Sequence, residues 1–158
     1  MIDKTPSSGL WWFAADYYKA AVVTFDVKRC RLSSETVPCY LVCHSIELVL
    51  KAFLRAKGLR VQTLINKFGH DLESTLTEAK KQDLDRFCMV SSEFCEHLRR
   101  ANFHYKSKDF EYIVVGIMHL PSLDILLNGT KALLEGTKEF CLANHGLHDG
   151  KPSAYAPS

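Results

Sequence analysis

The sequence has no long hydrophobic run. Its longest uncharged stretch of real apolar character, Tyr112 to Leu123, falls short of the roughly 20 residues a bilayer-spanning helix needs. The opening Met1-Ile2-Asp3-Lys4 also lacks the charged-then-apolar order of a secretory signal. The expectation is a soluble, cytoplasmic protein with no membrane partner. A surplus of one charge is missing too, since 20 Lys+Arg against 18 Asp+Glu leave a formal net charge of +2. A chain held to nucleic acid by its overall field is more basic, so any such contact must come from a local patch. Of the six cysteines (Cys30, Cys39, Cys43, Cys88, Cys95 and Cys141) no two form a CxxC pair, which argues against a zinc ribbon. Disulfide-dense scaffolds are usually shorter and secreted. Cys39 and Cys43, like Cys88 and Cys95, are spaced to share a helix face, as small buried thiols lining a core would be. There is no Gly-rich phosphate loop, nucleotide fingerprint or serine-nucleophile motif. The expectation is no metal and no cofactor.

What remains is a globular composition. The 158 residues are 47% hydrophobic and 24% charged, enough for one ordinary domain and hardly two. Pro6, Ser7, Ser8 and Gly9, and at the other end Gly150, Pro152 and Pro157, predict flexible termini over residues 1–9 and 144–158, around a body at 10–143. Within that body the apolar spacing is helical. It predicts helices over residues 10 to about 29, 38–58, 71–81, 84–103 and 121–143. Pro38 suits a first turn, Gly58 a left-handed C-terminal cap and Asp71 an N-cap. The β-branched and aromatic run Phe110-Glu111-Tyr112-Ile113-Val114-Val115-Gly116 reads as extended. The predicted fold is an all-α bundle of four to five helices with one extended connection before the last.

Two polar stripes stand out on these helices. On the second, His44, Glu47, Lys51 and Arg55 fall within about 80° of one another, while Leu41, Ile46, Val49, Leu50, Ala52 and Phe53 take most of the remaining circumference. That makes the helix central, with either a solvated strip steadied by a Glu47–Lys51 pair or the lining of a polar cleft or subunit contact. On the fourth, Glu93, His97, Arg100 and His104 lie opposite Phe87, Val90, Phe94, Leu98 and Ala101. Histidine titrates near neutrality and arginine offers a planar fork to phosphate oxygens, so this stripe suits acid–base chemistry on a phosphate as well as an ordinary exposed face. His70 beside Asp71 reads more simply as a turn histidine next to a capping aspartate than as a proton relay.

Three stretches resemble the HEPN family of small prokaryotic helical bundles. The run from Pro38 to Leu54, with His44, Glu47 and Lys51, looks like that family's central helix. Phe68-Gly69-His70-Asp71-Leu72 is similar to its Gly-His-Asp-Leu turn, and Phe110-Glu111-Tyr112 more loosely to the segment before its last helix. The resemblance spans residues 10–143. It implies a helical bundle, often a homodimer, that acts in RNA binding or metal-independent RNA cleavage. It also implies a toxin–antitoxin setting, with an antitoxin or a small nucleotidyltransferase as partner. The family's cleavage signature matches Arg99-Arg100-Ala101-Asn102-Phe103-His104. It would make His104 the general acid or base on the ribose 2′-hydroxyl and let Arg99 and Arg100 stabilise charge on the phosphate. In an unbroken helix Arg99 and His104 lie about 140° apart, so their convergence requires the helix to end or distort near Asn102.

Three functions follow. The first is RNA binding and cleavage at Arg99, Arg100 and His104. The second is a catalytically silent HEPN module that binds a protein or a nucleotide-bearing ligand through His44, Glu47 and Lys51, with His97 as a further binding candidate. The third is a structural helical adaptor.

Overall fold

The computed structural model describes residues 4–26, 34–112 and 118–144. Six α-helices and a 3-10 turn follow in order: α1 (Ser7–Phe25), α2 (Thr36–Ala56), α3 (Val61–Phe68), α4 (Leu72–Lys81), the turn at Leu84–Arg86, α5 (Ser92–Lys106) and α6 (Leu123–Ala143). No strand occurs among the described residues. The expected all-α bundle is what forms.

α2 is its axis. It packs against α1, α3, α4, α5 and α6, and from Val42 to Ala56 nearly every side chain is buried. A helix touched from all sides needs apolar residues around most of its girth, and the sequence of α2 supplies them. Among the described residues it is also the one helix long and apolar enough to cross a membrane, yet 72% of that window is buried inside the bundle. Its end is a full Schellman cap: Gly58 at φ 101° places its own N–H on the Arg55 carbonyl and the Leu59 N–H on that of Leu54.

Several expected boundaries shift, each for a local reason. Residues 7–9 belong to α1 rather than to a flexible end. The fully buried Ser7 hydroxyl donates to the Cys141 carbonyl at 2.7 Å and reaches that of Asn144, docking the start of α1 on the end of α6. Residues 27–33, with Cys30, and the tail from 145 onward lie outside the described residues.

The single helix expected over 84–103 is a 3-10 turn followed by a separate helix. Ser91 starts the new helix, its hydroxyl accepting the Phe94 N–H at 3.0 Å. The segment before it lies against α6, where a Cβ on Gly136 would stand 2.5 Å from the Phe87 carbonyl oxygen. α3 was not expected at all. Phe110 to Tyr112 form a turn rather than an extended strand, and residues 113–116 of that segment lie outside the described residues. Of the cysteines, Cys39, Cys43, Cys88 and Cys141 are buried thiols, and burial pushes Cys141 up to about 12.

Candidate functional site

The polar stripe of α2 is not solvated. Glu47 is 4% exposed, Lys51 8% and Arg55 2%. Arg55 spends its guanidinium on the carbonyls of Thr5 and Leu59, tying the chain before α1 to the end of α2. Glu47 instead gathers side chains from three elements. One carboxylate oxygen, Oε1, accepts from Lys51 Nζ at 2.6 Å, one turn along the same helix. The other, Oε2, accepts from the Tyr105 hydroxyl at 2.5 Å and from His70 Nδ1 at 3.0 Å, with His44 Nδ1 3.7 Å away. Lys51 also donates to the Gly69 carbonyl at 2.6 Å, which fixes the turn that carries His70.

Burial is the largest single influence on the Glu47 carboxyl and by itself would raise its pKa. The donors His44, Lys51 and His70 together outweigh it and hold the group well below the usual carboxylate range. Glu47 is therefore an anion at neutral pH and can only accept. That settles the protons around it. Tyr105 gives its hydrogen to Glu47, so the 2.8 Å contact between His44 Nδ1 and the Tyr105 oxygen must be donated by His44. His70 likewise donates Nδ1–H to the carboxylate. Both imidazoles thus hold Nδ1–H inward, and in the neutral ring each leaves Nε2 as a lone-pair acceptor. Burial and the neighbouring Glu47 anion push the Tyr105 hydroxyl far above its ordinary pKa, so it stays a donor.

Aromatic rings pack around the two imidazoles of this cluster. The Tyr17 ring of α1 meets His44 edge-on at 4.4 Å between centroids. Tyr40, one turn before His44, lies nearly parallel to that imidazole, 6.0 Å away at 4°. Tyr105 stands edge-on to His70 at 5.9 Å. The His70 side chain is 53% exposed and that of His44 22%, so His70 is the imidazole nearer solvent.

Asp71, next to His70, caps α4 as expected by accepting the Ser74 N–H at 3.0 Å. It also accepts from Asn102 and from Lys106 Nζ at 2.9 Å. Asn102 returns its own oxygen to the Leu72 N–H at 2.8 Å. This bracket between α4 and α5 holds Lys106 on Asp71, the residue that follows His70.

The residues of the cleavage signature take separate partners. Arg99 pairs with Glu73 of α4 at 3.1 Å, and Arg100 with Glu96 one turn back at 2.5 Å. His104 Nδ1 meets Asp109 Oδ2 at 3.0 Å, where the chain folds back after α5. Its ring lies against Phe103 and Phe110. α5 continues unbroken to Lys106, so the distortion near Asn102 that would bring Arg99 onto the face of His104 does not occur. His97 Nδ1 accepts the Ser122 N–H at 3.0 Å, which pins the start of α6 to α5; the ring is a clamp between two helices.

Of the four binding candidates, the structure brings together His44, Glu47 and Lys51 and leaves His97 apart. Reading the sequence missed His70 and Tyr105 as members of the cluster. Tyr105 continues the buried Phe94, Leu98, Ala101 row at helical spacing, and a buried tyrosine hydroxyl needs a partner. No group of three His, Cys, Asp or Glu among the described residues is arranged to hold a metal ion. No family model, curated protein or solved structure matches this chain.

Proposed function

We propose that this chain is an HEPN-like binding module that takes a nucleotide-bearing ligand, RNA included, at the surface formed by Tyr17, Tyr40, His44 and His70. In this reading a single protomer performs no cleavage at Arg99, Arg100 and His104. One observation carries the proposal: a buried anion, Glu47, fixes the Nδ1–H of two imidazoles, which leaves their Nε2 atoms to a ligand, beside the half-buried rings of Tyr17 and Tyr40. Every base has a face that stacks on an aromatic ring, with alanine substitution costing about 1–3 kcal/mol per base. Base and ribose donors suit the Nε2 lone pairs, and Lys106, held on the neighbouring Asp71, suits a phosphate. Glu47 and Lys51 hold the frame and touch no ligand.

The test is fluorescence anisotropy with a labelled single-stranded oligoribonucleotide. Tyr40→Ala and His70→Ala should each weaken binding about tenfold or more, with the helical circular dichroism signal unchanged. An affinity unaltered in both variants, or no binding by the parent chain, overturns the reading. Such a module implies a partner of the antitoxin or nucleotidyltransferase kind. Co-purification of the chain with a small nucleotidyltransferase encoded beside it would bear on that.

A further inference from the structure

The segment from Met89 to Phe94, which leads into α5, does not close fully on the first half of α6. Between them lies a cleft of about 280 Å³, with Met89, Val90, Phe94, Ile125, Gly129 and Ala132 in its lining. Gly129 shapes it: a Cβ there would run into the Phe94 ring, so only glycine lets that ring lie against the backbone of α6. Phe94 is buried and held in place, whereas Met89 is 84% exposed. An unbranched thioether of that kind adapts to whatever lies beside it and makes favourable contacts with aromatic rings. The wall therefore suits one apolar ring. Ligand sites are mostly apolar clefts, from about 300 Å³ upward, in which a few polar groups set the orientation.

The polar groups of this cleft are Ser91, Glu93 and Asn128. Ser91 is already engaged, its hydroxyl accepting the Phe94 N–H. The side chains of Glu93 and Asn128 are exposed and have no partner among the described residues. A carboxylate can only accept, and the Asn128 amide oxygen accepts as well. Together they call for a donor that carries positive charge. An ammonium supplies both, while an anion would be repelled by Glu93.

We infer that this cleft binds a small molecule joining one apolar ring to a protonated amine. The ring lies against Val90, Phe94 and Ile125, and the amine meets Glu93. The cleft shares no residue with the Glu47 cluster, so it stands or falls independently of ligand binding at His44 and His70.

Three probes of nearly one size test it: phenethylamine, phenethyl alcohol and phenylacetate. Titrated into the isotope-labelled chain, phenethylamine should shift the amide signals of Val90, Glu93 and Asn128 saturably. A Kd on the order of millimolar is expected for so few atoms. The alcohol should bind about two- to fivefold more weakly, the worth of an ion pair open to water, and phenylacetate not detectably. Glu93→Gln should erase the preference for the amine and leave alcohol binding as it was. Ala132→Leu, at an exposed helical position, fills the cleft and should abolish binding of both probes with the helical circular dichroism signal unchanged. A parent chain with no saturable shift at those residues overturns the inference, as does equal binding of amine and alcohol. So does an amine preference that survives Glu93→Gln, or amine binding that Ala132→Leu leaves unaltered.

Discussion

The carboxylate of Glu47 faces a lysine, a tyrosine and two histidines and can only accept from them. Each donor is positioned by it, so removing the charge should disturb the whole cluster. Glu47→Gln leaves Lys51 buried without its counter-ion and is expected to cost about 3–5 kcal/mol, measured by urea denaturation. Tyr105→Phe removes only the hydroxyl that bridges Glu47 and His44. It should cost about 1.5–3 kcal/mol, the range for a hydrogen bond to a charged group. The Glu47 carboxyl titrates below its unfolded value of about 4.3, so the unfolded chain binds the extra proton first. Stability contributed by Glu47 is therefore complete above that value and falls as the pH drops toward the folded pKa. A pH series of denaturation midpoints should show this acid-side loss in the parent chain and a shallower one in Glu47→Gln.

At the scale of elements, the sequence revealed most where one residue type has one use. Gly58 at a left-handed cap and Asp71 at an N-cap were both legible because few other residues suit those positions. α3 escaped notice although Val61, Leu64 and Phe68 follow helical spacing, because eight residues give too short a period to stand out. The break between the 3-10 turn and α5 escaped too, because its cause lies partly in α6, far along the chain, where Gly136 lets the Phe87 carbonyl approach. The candidate site was half legible for the same reason. His44, Glu47 and Lys51 share one helix, while His70 and Tyr105 arrive from elsewhere. Gly136→Ala tests the close approach. Alanine favours the helix by about 1 kcal/mol, but its methyl would press on a backbone carbonyl that cannot turn aside. Overpacking of this kind costs about 1–3 kcal/mol, so a thermal melt should show no gain and a net loss is expected.

At the scale of the molecule, Arg99, Arg100 and His104 each pair with a different carboxylate, those of Glu73, Glu96 and Asp109, and the proposed binding reading assigns them no cleavage. Purified protein incubated with total RNA should leave it intact, and His104→Ala should behave identically on a denaturing gel. Cleavage by the parent chain that His104→Ala abolishes would restore the acid–base role of that imidazole.

The Tyr17 ring lies against His44, which makes α1 a neighbour of the polar cluster through a single aromatic contact. A shift of α1 would therefore reach that imidazole before any other member of the cluster.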